Sequence, residues 1–235
     1  MSGLSGNTNL TSSIIQYVIF LVTTGVMLPF IDRIGRRQLL LGGAVICMCL
    51  HYTTAAIMAT YGKPVDSVFG NANLKLEITG APGKGVIALS YIFTGIYGLT
   101  WAPTGWIYCS EVFPSKFRAK GVGLSAATNW IFNFALAYFL PPAFKNITWK
   151  TYLIFGIFCT TMIVHIFFTY PETARKTLEE IDAVFDSKVP PWRSSQLQEH
   201  TLEARAQNIN EKGGVHRDSD VFDEKDGQAQ QKEVV

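Results

Sequence analysis

Two asparagines and a tryptophan lie close together in an otherwise apolar stretch of the chain. Asn129 and Asn133 are four residues apart, so a helix places both amides on one face, with Trp130 beside them. Paired amides can hydrogen-bond to a polyhydroxylated ligand while an indole stacks on its apolar face. The same amides can instead bond to a neighbouring membrane helix, and the residues alone leave both interpretations open.

Three short charged segments interrupt or follow the apolar runs of the chain. They are Asp32–Arg37 (DRIGRR), Glu111–Arg118 (EVFPSKFR) and Pro171–Asp182 (PETARKTLEEID). If the three segments lie on one side of a membrane, their acids and arginines can meet at the helix ends. Such a group predicts an ion-pair cluster that can break and re-form.

Five apolar runs are long enough to cross a bilayer as helices. About 20 residues rising 1.5 Å each span the roughly 30 Å hydrocarbon core. These runs are apolar on every face, whereas helices of soluble proteins are amphipathic. We therefore predict an all-α integral membrane protein with five transmembrane helices. The predicted spans cover about residues 12–31, 38–61, 85–110, 121–144 and 152–170.

The basic residues predict the orientation of these spans. Residues 1–170 hold 11 Lys and Arg against 4 Asp and Glu, and the basic residues are densest in the short loops that begin near Arg33 and Lys116. Cytoplasmic loops carry this excess, so we expect both loops and the C-terminus to be cytoplasmic. The plasma membrane is the expected location.

The sequence lacks the combinations of residues that support catalysis or metal binding. The sequence has no metal triad, Ser/Lys pair or buried carboxylate pair within the spans, and His51 and His165 each stand alone. All four cysteines fall inside spans, where they are expected to pack as small apolar side chains. We predict neither an enzyme nor a cofactor, and no nucleic-acid partner.

Four motifs follow one another along the chain. They are Asp32-Arg33-x-Gly35-Arg36-Arg37, Trp106 ahead of Glu111-Val-Phe-Pro and Arg118, Asn129-Trp130-x-x-Asn133-Phe134, and Pro171-Glu172-Thr173 with Thr177-Leu178-Glu179-Glu180. In this order they resemble the signatures of sugar porters in the major facilitator superfamily, and within that family the sequence resembles fungal high-affinity glucose transporters. The resemblance covers residues 1–186. It implies transmembrane transport of a hexose, with glucose the expected substrate, by alternating access.

The resemblance also implies which residues act. Substrate binding is expected from Trp106, Asn129, Trp130 and Asn133. A conformational gate is expected from Asp32, Arg33, Gly35, Arg36, Arg37, Glu111, Arg118 and Glu172. One position departs from the family pattern, because many hexose carriers have an asparagine where this chain has Phe20. The pocket is then narrower or tuned to another sugar.

The same resemblance places the chain within a larger fold. Residues 1–186 align with helices 8 to 12 of a twelve-helix carrier, which implies a partial transmembrane domain and a C-terminal fragment. The expected partners are a hexose, with proton coupling left open, membrane lipid and the missing N-terminal half of the carrier. A non-transporting glucose sensor and a regulatory membrane subunit are the alternatives. Residues 187–235 are polar and are predicted to form a disordered cytoplasmic tail.

Overall fold

The fold is a bundle of long helices, seen in a computed structural model that describes residues 7–65, 67–68, 75–114, 116–174, 176, 181 and 190–193. The helices are α1 (Asn7–Met27), the short α2 (Ile31–Ile34), α3 (Arg36–Tyr61), α4 (Ala81–Glu111), α5 (Arg118–Asn146) and α6 (Lys150–Thr169). A single 3₁₀ turn covers Pro191–Arg193. The predicted tail, 187–235, lies outside the described residues except for 190–193.

Among the described residues, four helices are long and apolar enough to cross a membrane. They are α1 from Leu10, α3, α4 and α6. Helix α5 has 29 residues, but it carries two prolines, three asparagines and three basic residues, and it is not among the four. The bundle is thus a mostly helical membrane domain, and a fifth membrane span formed by α5 stays a prediction.

Proline accounts for the ends of two helices. The span predicted to reach residue 31 ends at Met27, because Pro29 has no amide hydrogen and disfavours helical geometry in the residue before it. Likewise, Tyr170 has extended geometry (φ −95°, ψ 110°) ahead of Pro171, so α6 ends at Thr169.

Between α3 and α4 the structure adds an element that the all-α prediction did not include. Two short strands, β1 (Lys63–Pro64) and β2 (Leu76–Glu77), pair antiparallel with Lys63 opposite Glu77. The reason is local burial, because Leu76 and Ile78 pack against Met58 of α3 in one apolar cluster. The two strands thereby cover one end of α3 and α4.

Helices α3, α4 and α6 form the packed centre, and α1 packs along α4. Polar side chains join α1 to α4, where Gln16 Nε2 donates to Ser90 Oγ at 2.8 Å. Helix α5 lies at the side of α4, and Ala143 is its one buried side chain in the described part of the chain. Most of its surface, including the predicted site residues, is therefore exposed.

A glycine permits the close approach of α3 to α4 and gives a first prediction. A Cβ on Gly43 would lie 2.6 Å from Thr100 Cβ, whereas one on the adjacent Gly42 would have no neighbour within 4 Å. We expect Gly43→Ala to destabilise the bundle by about 1–3 kcal/mol through overpacking. Its unfolding temperature in detergent should fall, with Gly42→Ala as the matched control. Equal unfolding temperatures for the two variants would contradict this packing.

Candidate functional site

An open groove of about 210 Å³ runs between α4 and α5. Helix α4 supplies most of its wall, and the helix stays continuous through Pro103. The side chains that line the groove are Tyr97, Trp101, Ala102, Gly105, Trp106, Cys109, Ser125 and Asn129. The aromatic rings belong to Tyr97, Trp101 and Trp106 of α4. The Ser125 hydroxyl and the Asn129 amide of α5 add polar groups to this lining.

The structure divides the four predicted substrate-binding residues into two pairs. Trp106 and Asn129 line the groove from opposite helices. Asn133 lies one turn further along α5, where its Nδ2 donates to the Asn129 carbonyl at 2.9 Å and also to Asn129 Oδ1. Trp130 is 74% exposed and does not line the groove.

The amide contacts bear on the two interpretations of the asparagine pair. In the described part of the chain, the hydrogen bonds of Asn129 and Asn133 stay within α5 and do not reach another helix. Bonding to a neighbouring helix therefore has no support among the described residues. Asn129 keeps its amide nitrogen available to a ligand in the groove.

Sequence reasoning missed Tyr97, Trp101 and Cys109 as lining residues. With Gly105 they recur every four residues along α4, which places them on one helix face, and this spacing was the available signal. Phe20 of α1 stacks on Tyr97, with ring centroids 6.3 Å apart. The position where many hexose carriers have asparagine thus supports an aromatic wall of the groove.

A charged cluster lies at the ends of α2, α3 and α4. Arg36 is 6% exposed, and its Nη2 reaches Asp32 Oδ1 at 2.7 Å and Glu111 Oε1 at 2.8 Å. These are the two ion pairs within the described ranges of the chain. Arg36 Nε and Nη1 are buried without a hydrogen-bond partner there. The buried charge of Arg36 therefore depends on the two carboxylates.

Glu172 receives backbone amides at the start of α3. Its Oε1 accepts from the amide of Arg36 at 2.9 Å, and its Oε2 accepts from that of Arg37 at 3.2 Å. These amides have no partner within the helix, and the helix dipole favours a negative charge at this end. Oε1 also accepts from the amides of Thr173 and Ala174 at 3.1 and 3.0 Å. Glu172 thus ties the chain beyond α6 to the start of α3.

Gly35 is the residue that permits this contact. Its φ of 99° is a conformation that residues with a Cβ rarely adopt. A Cβ there would also lie 2.9 Å from Glu172 Oε2. Backbone geometry and space both therefore require glycine.

The other predicted gate arginines lie apart from this cluster. Arg118 donates to the Phe113 carbonyl at 3.4 Å and forms no ion pair with a described acid. Arg37 donates to the Phe167 carbonyl at 3.0 Å and lies over the Phe167 ring, 5.3 Å from its centroid. Arg33 is exposed.

Tyr170 connects the cluster to the end of α4. Its ring stacks on Tyr108 with centroids 4.8 Å apart and an interplanar angle of 1°. Burial, with a smaller effect of Cys109, raises the pKa of Tyr170, so its phenol stays neutral at physiological pH.

A family model for proteins described as Sugar (and other) transporter matches residues 2–185 of this chain. The High-affinity glucose transporter of Kluyveromyces lactis is 47% identical over 199 residues, which are 83% of this chain and 36% of that protein. High-affinity glucose transporter 1 of Candida albicans is 39% identical over 236 residues, 99% of this chain and 43% of that protein. The Probable quinate permease of Aspergillus fumigatus is 35% identical over 197 residues, 82% of this chain and 34% of that protein.

Solved structures share the fold. The inward-open xylose transporter XylE from E. coli has a TM-score of 0.61 at 24% identity, and the match covers 74% of this chain and 35% of that one. XylE bound to 6-bromo-6-deoxy-D-glucose has a TM-score of 0.62, and the match covers 77% and 36% of the two chains. This chain therefore spans about a third to two fifths of the length of the proteins it matches.

Proposed function

Since the chain belongs to the Sugar (and other) transporter family, we propose that it supplies one wall of a hexose site in an alternating-access carrier. Its family and its apolar helices make it an integral membrane protein of a transporter family, not an enzyme. One observation supports the proposed function above the rest, namely that Trp106 and Asn129 face one groove from two different helices.

The chain corresponds, in this proposal, to the C-terminal half of the carrier from helix 8 onward. Helices α1, α3, α4, α5 and α6 would be helices 8 to 12, with α5 as the fifth span. Its exposed asparagines and Trp130 are then covered by the missing half of the carrier, which completes the site. Alternating access proceeds by rocking of the two halves about a midplane site.

Glucose is the substrate that the groove fits best. Pyranose hydroxyls would bond to Asn129 and Ser125, while the indole of Trp106 covers the apolar face of the ring. Asn133 and Trp130, one turn and one residue along α5, would contribute from the side of the missing half. Quinate, named for one relative, carries a carboxylate, and none of the described lining residues is charged. A neutral sugar therefore fits this groove better than an anion.

The charged cluster serves as the gate in this proposal. Ion pairs between Arg36 and both Asp32 and Glu111 hold α2, α3 and α4 together in one state and release in the other. Arg33, Arg37 and Arg118 then act at the edge of the cluster. The positive-inside rule supports a cytoplasmic location for the cluster and the C-terminus. We propose the plasma membrane as the location of the carrier. Proton coupling is not assigned, because it depends on residues outside this chain.

The test is a chimera in which residues 2–185 replace the matching segment of the K. lactis transporter. Expressed in yeast that lacks hexose carriers, the chimera should take up labelled glucose, whereas residues 1–235 alone should give background uptake. Asn129→Ala in the chimera should raise the apparent KM about five- to tenfold, because one lost hydrogen bond is worth about 1–1.5 kcal/mol. Uptake is normalised to surface protein.

Asn146→Ala is the matched control, since Asn146 is the exposed last residue of α5. It should leave the KM unchanged. An unchanged KM for Asn129→Ala with halved surface expression would instead assign the asparagine to helix packing. Glucose binding by the chimera without uptake would favour the sensor alternative.

A further inference from the structure

We propose that Tyr108 and Tyr170 form a positioning pair that makes the groove wall and the charged cluster move together. The inference rests on the proposed transport function, and it assigns neither tyrosine to sugar contact. It concerns how the end of α4 is joined to the segment Pro171–Thr173, which carries Glu172.

The segment is fixed to α4 on both sides of Glu172. Ahead of Glu172, Tyr108 is 5% exposed, and its hydroxyl donates to the Pro171 carbonyl at 3.3 Å while its ring stacks on Tyr170. After Glu172, Thr173 is 1% exposed, and its hydroxyl donates to Glu111 Oε2 at 2.7 Å. A displacement of the end of α4 therefore displaces Glu172.

The same two turns of α4 form part of the groove wall. Trp106 and Cys109 line the groove, while Tyr108 and Glu111 face the cluster from the adjacent helix face. Pro103 precedes these turns and removes one helical hydrogen bond, which provides a point where the end of α4 can tilt as a unit. A ligand that shifts Trp106 would thus also shift Tyr108 and Glu111.

This geometry couples movement of the end of α4 to movement of Glu172, and we call this coupling the link. When the end of α4 tilts, the stacked rings carry Pro171 with it, and the Glu172 carboxylate moves relative to the first amides of α3. The cluster then has two arrangements, and occupancy of the groove shifts the balance between them. Without the pair, only the hydrogen bond from Thr173 to Glu111 would join the segment to α4, so the coupling would be much weaker.

The first test uses the chimera and separates KM from the maximal rate. Tyr170→Ala should lower maximal glucose uptake per surface molecule at least fivefold, with KM changed less than twofold. Tyr170→Phe keeps the stacked ring and should restore the rate. Tyr108→Phe loses only the bond to Pro171 and should lower the rate two- to threefold. A proportional loss of surface protein with a normal rate per molecule would show a merely structural role and overturn the link.

The second test needs no transport and uses residues 1–235 purified in detergent. Glu172→Ala should change the rate of Cys109 alkylation by a thiol reagent at least threefold when Tyr170 is present. In the Tyr170→Ala background, the same change should alter the rate less than 1.5-fold. Equal effects in the two backgrounds, or no effect in either, would overturn the link. If the parent chimera fails to take up glucose, the transport proposal fails, and this second test still decides the link.

Discussion

Replacing Arg36 by alanine in the chimera should abolish most glucose uptake while protein still reaches the membrane. The variant leaves Glu111 without its cation, and the side chain of Glu111 is only 20% exposed. Removing one partner of a buried pair costs about 3–5 kcal/mol. Because Glu111 is partly exposed, we expect the cost of removing Arg36 to be near the lower end, about 3 kcal/mol. That cost lowers the equilibrium constant for the state in which the cluster holds α2, α3 and α4 together by roughly 150-fold. We expect at least a tenfold loss of maximal uptake per surface molecule.

Lys120→Ala is the control for Arg36→Ala, because Lys120 is an exposed cation in the first turn of α5. It should leave uptake unchanged. Arg33→Ala should have a smaller effect than Arg36→Ala, since the Arg33 side chain is exposed. Full uptake by Arg36→Ala would show that the cluster does not act as a gate.

Replacing Glu172 by alanine should have the second largest effect. The variant removes the acceptor of four backbone amides. Two of these amides lie at the start of α3, where the N-cap residue Gly35 has no side chain to accept them. Loss of a capping side chain costs about 0.5–2 kcal/mol, and the ionised carboxylate places this one near 2 kcal/mol. Maximal uptake per surface molecule should fall several-fold. Glu172→Gln keeps one carbonyl acceptor and should have an intermediate rate.

A double-mutant cycle with Gly35 checks the same contact. Gly35→Ala places a Cβ against the Glu172 carboxylate and also strains the backbone. Its effect on uptake should be smaller in the Glu172→Ala background, because only the backbone strain remains there. Additive effects of the two substitutions, or uptake by Glu172→Ala equal to that of the parent, would contradict the capping role.

The sequence was sufficient to predict the helical membrane architecture, because uncharged runs of about 20 residues favour membrane helices. It did not locate the end of α1, where Pro29 lies inside an apolar run and the helix ends at Met27. The β1–β2 hairpin was also missed, since its strands are two residues long and depend on burial of Leu76 and Ile78 against α3.

The composition of the cluster was harder to predict than its existence. Charged segments on one side of a membrane indicate that acids and arginines meet, but not which ones. The structure pairs Arg36 with Glu111, whereas Arg37 lies on Phe167 and Arg118 donates to the Phe113 carbonyl. These details depend on packing between helices, which a single sequence does not specify.

The residues that line the groove were also predicted only in part. Asn129 was a candidate from its residue type and Trp106 from the resemblance to sugar porters, and the structure places both in one groove. Tyr97 and Trp101 were missed, because aromatic residues are common in membrane helices and only the position of α5 shows which helix face of α4 is open.

The most direct test of the sugar site is protection of Cys109 by its ligand. Cys109 lines the groove, whereas Cys49 is an exposed residue of α3 away from it. In the chimera, D-glucose should slow alkylation of Cys109 by a small methanethiosulfonate at least threefold, as read by peptide mass spectrometry. L-glucose should have no effect on either thiol, and D-glucose should leave Cys49 unchanged. Equal Cys109 alkylation with and without saturating D-glucose would contradict a sugar site in this groove.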